Sequence, residues 1–223
     1  MVYKKDGKML SPLPAKLEFT VGCSVEEFSR IRELEDRRLY LYGQIAGIDN
    51  DEVGINSTAS MTSRLVEQIL DFNRADIDVP TEEREPVRLY INSPGGDVTE
   101  GFALVSAIEL SKTPIYTINV GQWSSMAFLI GIAGHKRYSL PYSMFLMHDG
   151  TSMAFGSTNK VKDEMEFNAR FENNVIKPHV LKHSNMKSMD YDALARVELY
   201  MLPEEAKERG FIDVVVDNIN DIL

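Results

Sequence analysis

Two strand–turn–helix units in immediate succession constrain the fold of this chain more than any other feature of its sequence. The apolar run 87–91 leads into Asn-Ser-Pro-Gly-Gly-Asp, and helical spacing of apolar residues resumes at Val98. A second apolar run, 115–120, leads into Gly-Gln-Trp-Ser-Ser, and another apolar segment follows at 126–132. Strands that alternate with helices are typical of parallel pairing in βαβ units. The sequence therefore predicts a layered α/β domain.

Shorter periodic segments complete the predicted domain, which we place at residues 38–223. Before it, residues 1–37 mix Lys, Pro and Gly and are predicted to form an N-terminal arm and lead-in. The acidic, proline-containing stretch 74–86 is predicted to be a solvated loop. The other predicted elements are strands at 38–43, 137–140, 143–148 and 211–216, an extended segment at 198–202, helices at 60–72, 190–196 and 203–209, and a long charged helix at 159–183 with a bend near Pro178.

Charge and cysteine content exclude several classes of protein. The formal net charge of −10 argues against a nucleic-acid partner, which requires a basic face. The single cysteine, Cys23, excludes an internal disulfide and fits a reducing compartment. The longest apolar run, 126–133, is too short to span a bilayer, and no apolar secretory segment follows the charged N-terminus. We therefore expect a cytoplasmic protein without a nucleic-acid or membrane partner.

Ser124 and Ser125 stand where the second strand is predicted to turn into a helix. Serine is a favoured N-cap residue, so either hydroxyl could simply cap the helix. A hydroxyl at this place could also act as a nucleophile, because the unpaired N–H groups at a helix start stabilise an alkoxide and the oxyanion it produces. The Gly-x-Ser-x-Gly motif of α/β-hydrolases is absent. From this stretch alone, both interpretations stay open.

Two glycine turns at the ends of neighbouring strands would bring two helix starts side by side. The backbone N–H groups of Gly96 and Met126 are then candidate donors to an oxyanion. Gly95 and Gly96 could also serve only as the tight turn that a strand–helix unit needs. Two adjacent glycines exceed that need, which favours a functional role.

A serine nucleophile needs a general base, and the chain offers four histidines. His148 ends the apolar run 144–147, which places it at a strand end, where functional residues gather in α/β sheets. His179 and His183 have the i,i+4 spacing of a metal site, but Val180 stands where the zinc-protease motif has Glu. We interpret these two histidines as part of a solvated helix face and expect no metal or other cofactor. Spacing does not select the carboxylate that would orient the base.

Four motifs follow one another along the chain. They are LYINSPGG from Leu89, GQWSSM from Gly121, LPYSMFLMH from Leu140 and EEAKERGFID from Glu204. In order and spacing they resemble the motifs of the Clp protease proteolytic subunit, the ClpP family, over about residues 38–216. The resemblance implies an α/β fold of the ClpP/crotonase type, in which stacked ββα units carry a protruding helical handle, here about 159–183.

The resemblance also implies a serine endopeptidase in which Ser125 is the nucleophile and His148 the general base. Gly96 and Met126 then correspond to the residues whose amides form the family's oxyanion hole. Family members assemble into heptameric rings that stack in pairs as a tetradecamer, with the handle at the ring-to-ring contact. An AAA+ unfoldase feeds protein substrates into the chamber, and the subunit itself binds no nucleotide. We therefore expect a homo-oligomer that acts on proteins or peptides, with an unfoldase as a candidate partner.

The chain departs from the family pattern at several places. Glu198 stands where the family has its catalytic Asp, and Asp190 and Asp192 are alternative candidates for the third member of the triad. The stretch before Leu39 lacks the family's apolar gate segment, and the loop at 73–86 is longer than the family's. Trp123 and Ala127 replace smaller residues, and we interpret Trp123 as packing beneath the nucleophile rather than narrowing the substrate site.

Two competing hypotheses remain at this stage. The first is a non-catalytic ring subunit that assembles with an active paralogue, motivated by Glu198 and Trp123. The second is an acyl-CoA enzyme of the crotonase type, which uses a two-amide oxyanion hole on a thioester. The second is weakened because Ser125 and His148 are both placed as a protease needs them.

Overall fold

The computed structural model describes residues 35–46, 60–150, 155–194 and 197–223. Residues Arg37–Leu223 form one compact unit, and the predicted arm and lead-in at 1–37 lies outside the described residues except for its last three. In the described ranges the strands are β1 (Arg38–Tyr42), β2 (Val87–Ser93), β3 (Ile115–Ser124), β4 (Lys136–Ser139), β5 (Met144–Met147), β6 (Leu199–Met201) and β7 (Val214–Val215). The helices are α1 (Met61–Ala75), α2 (Val98–Leu110), α3 (Met126–Ile132), α4 (Thr158–Phe171), α5 (Lys177–Lys182), α6 (Ser188–Leu194) and α7 (Pro203–Glu208), with a π turn at Glu172–Ile176 and 3₁₀ turns at Thr81–Glu83 and Ile219–Ile222.

The strands form one sheet in which β1, β2, β3, β4 and β7 pair in parallel in that order. β3 is the central strand, and along one of its edges it pairs with two different strands in turn. Its first half pairs with β4, whereas its last residues pair in parallel with β5. β6 then joins β5 in antiparallel register. This arrangement of a largely parallel sheet with helices between its strands confirms the predicted α/β fold.

The helix α2 follows the first glycine turn and packs one face against the sheet. The side chain of Asp97 caps it by accepting a hydrogen bond of 2.8 Å from the backbone N–H of Glu100. Leu104, Val105 and Ile108 are buried on the packed face, and α2 contacts both α1 and α3. The start of α2, and with it the glycine turn, is thereby fixed against the core.

The predicted long charged helix, which we call the handle, is one helical stretch with an irregular middle. It runs from α4 through the π turn at Glu172–Ile176 into α5. Pro178 lacks a backbone N–H, so the regular ladder is disturbed one turn before it, and the predicted bend takes the form of this π turn. α4 buries none of its residues. No described helix has both the length and the apolar character needed to cross a membrane.

The prediction of a solvated loop at 74–86 is wrong for its first residues. α1 continues to Ala75, and Asp76 behind it is only 7% exposed. The carboxylate of Asp76 accepts hydrogen bonds of 3.2 and 2.5 Å from Arg37 and of 2.7 Å from the Thr113 hydroxyl. Burial raises the pKa of Asp76, but these hydrogen bonds outweigh it and lower the pKa below 3.8. Sequence windows could not find this site, because its partners are distant along the chain.

We expect Asp76→Ala to lower the free energy of unfolding by about 2–4 kcal/mol, because it leaves the Arg37 guanidinium buried without its charge partner. Asp71→Ala is the matched control, since Asp71 pairs with Arg74 at 2.6 Å on the surface, with side chains 67% and 76% exposed, and should cost less than about 1 kcal/mol. Urea unfolding measures both values.

The free energy of unfolding that Asp76→Ala loses should also decrease as the pH falls. A carboxyl whose pKa is lowered by folding stabilises the protein above its unfolded pKa and loses this contribution as the pH falls. The difference between the parent and Asp76→Ala should therefore be full near neutral pH and shrink as the pH falls below 3.8. A difference that stays constant down to low pH would contradict the ion-pair explanation.

Candidate active site

Ser125 lies in a strained turn between β3 and α3. Its backbone has φ +55° and ψ −126°, a conformation that residues with a Cβ rarely adopt. It occupies the N-cap position of α3, yet its side chain makes no capping hydrogen bond. Its backbone N–H donates instead to the carbonyl of Leu146 in β5, at 2.9 Å. Capping therefore does not explain Ser125, and its half-buried hydroxyl is free for another role.

The glycine turn after β2 lies beside the turn that carries Ser125, as the sequence predicts, but the predicted second glycine turn at Gly121 is wrong, because β3 continues through Gly121 to Ser124. Gly95 has φ +94°, and a Cβ there would lie 2.6 Å from the Ser124 carbonyl oxygen and 2.8 Å from the Ser125 Cβ. Gly96 has φ +145°, and a Cβ there would lie 2.0 Å from the carbonyl oxygen of Ile45. Both positions require glycine for conformation and for space. The first turn thus packs directly on the turn that carries Ser125.

The backbone N–H groups of Gly96 and Met126 make no hydrogen bond to any other described residue. Nearby, the N–H of Asp97 donates to the Ile45 carbonyl at 2.9 Å, and that of Phe128 donates to the Ser125 carbonyl at 3.0 Å. Unpaired N–H groups beside a hydroxyl can donate hydrogen bonds to a negatively charged oxygen.

His148 follows directly after β5 and shares a cavity with Ser125. The cavity has a volume of about 70 Å³ and is lined by Ser125, Met126 and His148, among others. The base of the handle provides another wall, with residues from the π turn and from α5. In the described ranges no hydrogen bond joins Ser125 to His148, although both residues line the cavity.

Glu198 lies at the position next to His148 in the β5–β6 register. The antiparallel ladder pairs Phe145 with Met201 and ends with the pair of Met147 and Leu199, so His148 and Glu198 are the first residues beyond its last pair. The Glu198 carboxylate accepts a hydrogen bond of 3.0 Å from the Tyr200 hydroxyl through Oε2. This bond raises the pKa of Tyr200. No hydrogen bond to His148 is formed by Glu198 among the described residues, and Oε1 remains open.

The alternative carboxylates, Asp190 and Asp192, are directed elsewhere. Asp190 accepts a long hydrogen bond of 3.4 Å from the backbone of Lys187, and Asp192 forms an ion pair of 2.5 Å with Lys177. Both are exposed on α6, whereas Tyr191 between them lines the cavity. The structure therefore brings neither aspartate to the cavity.

Trp123 packs beneath the turn, which confirms our interpretation of it. Its side chain is fully buried, its ring meets Phe145 edge-on at 5.4 Å, and Gly131 of α3 leaves space for it. Trp123 does not narrow the cavity.

Sequence reasoning missed Asn119, whose side chain links β3 to β5. Its side chain donates to the Met144 carbonyl at 3.0 Å and accepts from the Gly121 N–H at 3.0 Å. A buried amide of this kind fixes where β3 leaves β4 and meets β5. The available signal was a polar residue inside the apolar run 115–120.

His179 and His183 do not form a solvated helix face, so that expectation is wrong. Their side chains are only 6% and 15% exposed, and both face Glu109 of α2. Burial lowers the pKa of both imidazoles. Burial also raises the pKa of Glu109, but hydrogen bonds from Lys182 and His183 outweigh it and lower the pKa to about 2.

Comparison with known proteins places these features in context. The model of the Clp protease family matches residues 52–219. ATP-dependent Clp protease proteolytic subunit 1 of Streptomyces avermitilis is 29% identical over 180 residues, which cover 80% of this chain and 76% of that protein. ATP-dependent Clp protease proteolytic subunit 3 of Synechococcus sp. strain CC9605 is 29% identical over 177 residues, or 76% of this chain and 82% of that protein.

We expect Gly95→Ala to destabilise the fold by more than about 3 kcal/mol, because the new methyl group would overlap the backbone of Ser124 and the side chain of Ser125. Gly43→Ala is the matched control. Gly43 also has a positive φ, of +77°, but no atom lies within 4 Å of the added Cβ, so only the backbone strain of about 1 kcal/mol applies. Urea unfolding of the two variants measures the difference, and equal losses would show that the contact is not tight.

Proposed function

The chain belongs to the Clp protease family, and from this premise we propose that it is a serine endopeptidase that cleaves peptide bonds by acyl transfer at Ser125. The observation that carries the proposal is that Ser125 and His148 line one cavity. The strained backbone of Ser125 supports it further, because it holds the hydroxyl in place without any capping bond. Strain of this kind is retained where a side chain must be positioned for chemistry.

In the proposed reaction, His148 takes the proton of the Ser125 hydroxyl as its oxygen attacks the substrate carbonyl carbon. The carbonyl oxygen becomes an oxyanion and accepts hydrogen bonds from the N–H groups of Gly96 and Met126. The imidazolium then gives its proton to the leaving amine, and the peptide bond breaks. Water repeats the same sequence on the acyl-enzyme and releases the second product.

Glu198 is our choice for the carboxylate that orients His148. A carboxylate accepts several hydrogen bonds, so the bond from Tyr200 to Oε2 leaves Oε1 for the imidazole. Glu is one methylene longer than Asp, and the proposal is supported by the β5–β6 ladder, whose last pair, Met147 and Leu199, directly adjoins His148 and Glu198.

We further propose that the chain acts on proteins or peptides inside a cytoplasmic chamber of two stacked heptameric rings. Met165 and Phe167 in α4 are 63% and 54% exposed, and no residue of α4 is buried in the single chain. Apolar side chains on an otherwise charged helix favour a contact with another subunit. The relatives are named as subunits of an ATP-dependent protease, which supports an AAA+ unfoldase as partner.

A non-catalytic ring subunit is the second candidate function. It is favoured by the Glu198 carboxylate, which bonds to Tyr200 and not to His148 among the described residues. This function predicts a well-folded oligomer without peptidase or esterase activity, which an active paralogue would recruit into mixed rings.

A fluorophosphonate probe should label Ser125 of the assembled protein covalently, because an activated serine attacks phosphorus as it attacks a carbonyl. Labelling should be lost in Ser125→Ala and should fall by about 10²-fold or more in His148→Ala. Ser124→Ala is the matched control, since Ser124 is adjacent but only 5% exposed. Peptide mass spectrometry locates the label, and unlabelled, well-assembled parent protein would favour the non-catalytic subunit.

Glu198→Gln should lower kcat/KM for a peptide substrate by about 10²–10⁴-fold, because the amide stabilises the imidazolium poorly. Tyr200→Phe should stay within a few-fold of the parent, since it removes only the second partner of the carboxylate. Size-exclusion chromatography checks that both variants assemble as the parent does. If Glu198→Gln kept full activity, another group would have to orient His148.

A further inference from the structure

Three side chains that can ligate a metal converge at the base of the handle, outside the cavity that holds Ser125 and His148. Glu109 lies in the last turn of α2, His179 lies in α5, and His183 follows α5 directly. One ligand atom from each of the three lies within 4.8 Å of the others. Residues four apart on a helix share one face, so both imidazoles meet the same carboxylate.

The hydrogen bonds of His179 leave two hydrogen-bond acceptors facing each other. Its Nε2 lies 2.9 Å from the carbonyl oxygen of Leu129. A carbonyl oxygen only accepts, so Nε2 carries the ring proton and donates it. In the neutral ring, Nδ1 then presents a lone pair to Oε1 of Glu109, which is 3.1 Å away and also an acceptor. A cation has to lie between these two atoms, either a proton on Nδ1 or a metal ion.

The cluster is enclosed at His179, whose side chain is only 6% exposed. The same Oε1 of Glu109 also lies 2.7 Å from Nε2 of His183. Both imidazole nitrogens therefore lie within 3.1 Å of one carboxylate oxygen, and all three possible ligand atoms lie within 4.8 Å of one another.

We propose that Glu109, His179 and His183 bind a divalent transition-metal ion, with Zn²⁺ as the best match and a water molecule as fourth ligand. Two imidazole nitrogens and a carboxylate oxygen are a donor set that zinc accepts in tetrahedral sites. Ligand atoms around tetrahedral zinc lie about 3.3–3.5 Å apart, so the His183 ring, which is 15% exposed, has to shift by about 1 Å. The Leu129 carbonyl supplies the outer partner that fixes the tautomer of His179.

The positive charge of Lys182 would repel a bound metal ion, and this gives the proposal a further testable consequence. Its ammonium group lies 2.8 Å from the other Glu109 oxygen, Oε2, and its side chain is 60% exposed. Its positive charge weakens binding of a second cation nearby, although the flexible chain can turn into solvent. Lys182→Met removes this charge and should tighten binding several-fold.

Metal binding would connect three elements, since the ligands come from α2 and from the base of the handle, and Leu129 belongs to α3. The ion would thus hold the base of the handle against α3, the helix that follows Ser125. The proposal is independent of the proposed peptidase function, and its test needs no activity measurement.

Isothermal titration of the full chain with ZnCl₂, after treatment with EDTA and its removal, tests the proposal. We expect one Zn²⁺ per chain, a melting temperature that rises with Zn²⁺ concentration, and strong visible absorption of the Co²⁺ form, as four-coordinate Co²⁺ gives. Glu109→Gln and His183→Gln should bind at least about 100-fold more weakly. His135→Gln, which alters an exposed histidine outside the cluster, should bind as the parent does.

The outcomes separate a built site from adventitious binding. No stoichiometric binding by the parent, or equal affinity in the parent and Glu109→Gln, overturns the proposal. If His183→Gln fails to fold in EDTA, Lys182→Met decides the question, because it keeps all three ligands. Several-fold tighter binding by Lys182→Met supports the site, and unchanged or weaker binding overturns it.

Discussion

The close approach of three backbone segments is the constraint on which the candidate site depends. The glycine turn after β2 is held between Ile45 on one side and the Ser124–Ser125 turn on the other, at distances that leave no space for a Cβ at Gly95 or Gly96. Ile45 also pairs with this turn through its own N–H and carbonyl. Because the contacts are between backbones, no side-chain rearrangement can relieve them. The strained conformation of Ser125 is stable because its neighbours leave it no other position.

The second constraint is the change of partner along β3, and polar side chains control it. The Asn119 side chain bonds to β5 and to the Gly121 N–H within β3, while Asn92 near the end of β2 accepts from the Gln122 N–H at 3.2 Å. Together they direct the last residues of β3 away from β4 and onto β5. His148 comes to the Ser125 turn because β5 runs parallel to the last residues of β3 and ends beside that turn.

Local patterns predicted the parts of the structure that local interactions determine. The strand and helix on either side of Ser125 could be read from periodicity, and so could the position of His148 at a strand end. The burial of Asp76 and the cluster around Glu109 could not, because their partners come from distant segments and a sequence window shows only charged residues. The i,i+4 pair His179 and His183 was visible in the sequence, but whether it faces solvent or α2 is decided by tertiary packing.

The handle is also part of the cavity, so its geometry and access to Ser125 are not independent. Glu172 and Ile176 in the π turn line the cavity together with Tyr191 of α6. The Tyr191 hydroxyl donates to the Glu172 carboxylate. Burial, followed by this bond, raises the pKa of Tyr191, so the hydroxyl keeps its proton as a donor. If the π turn were replaced by regular α-helix, the residues after it would rotate about the helix axis. This rotation would break the hydrogen bond between Tyr191 and Glu172 and would move Ile176 out of the cavity wall. The shape of the cavity at Ser125 would then change.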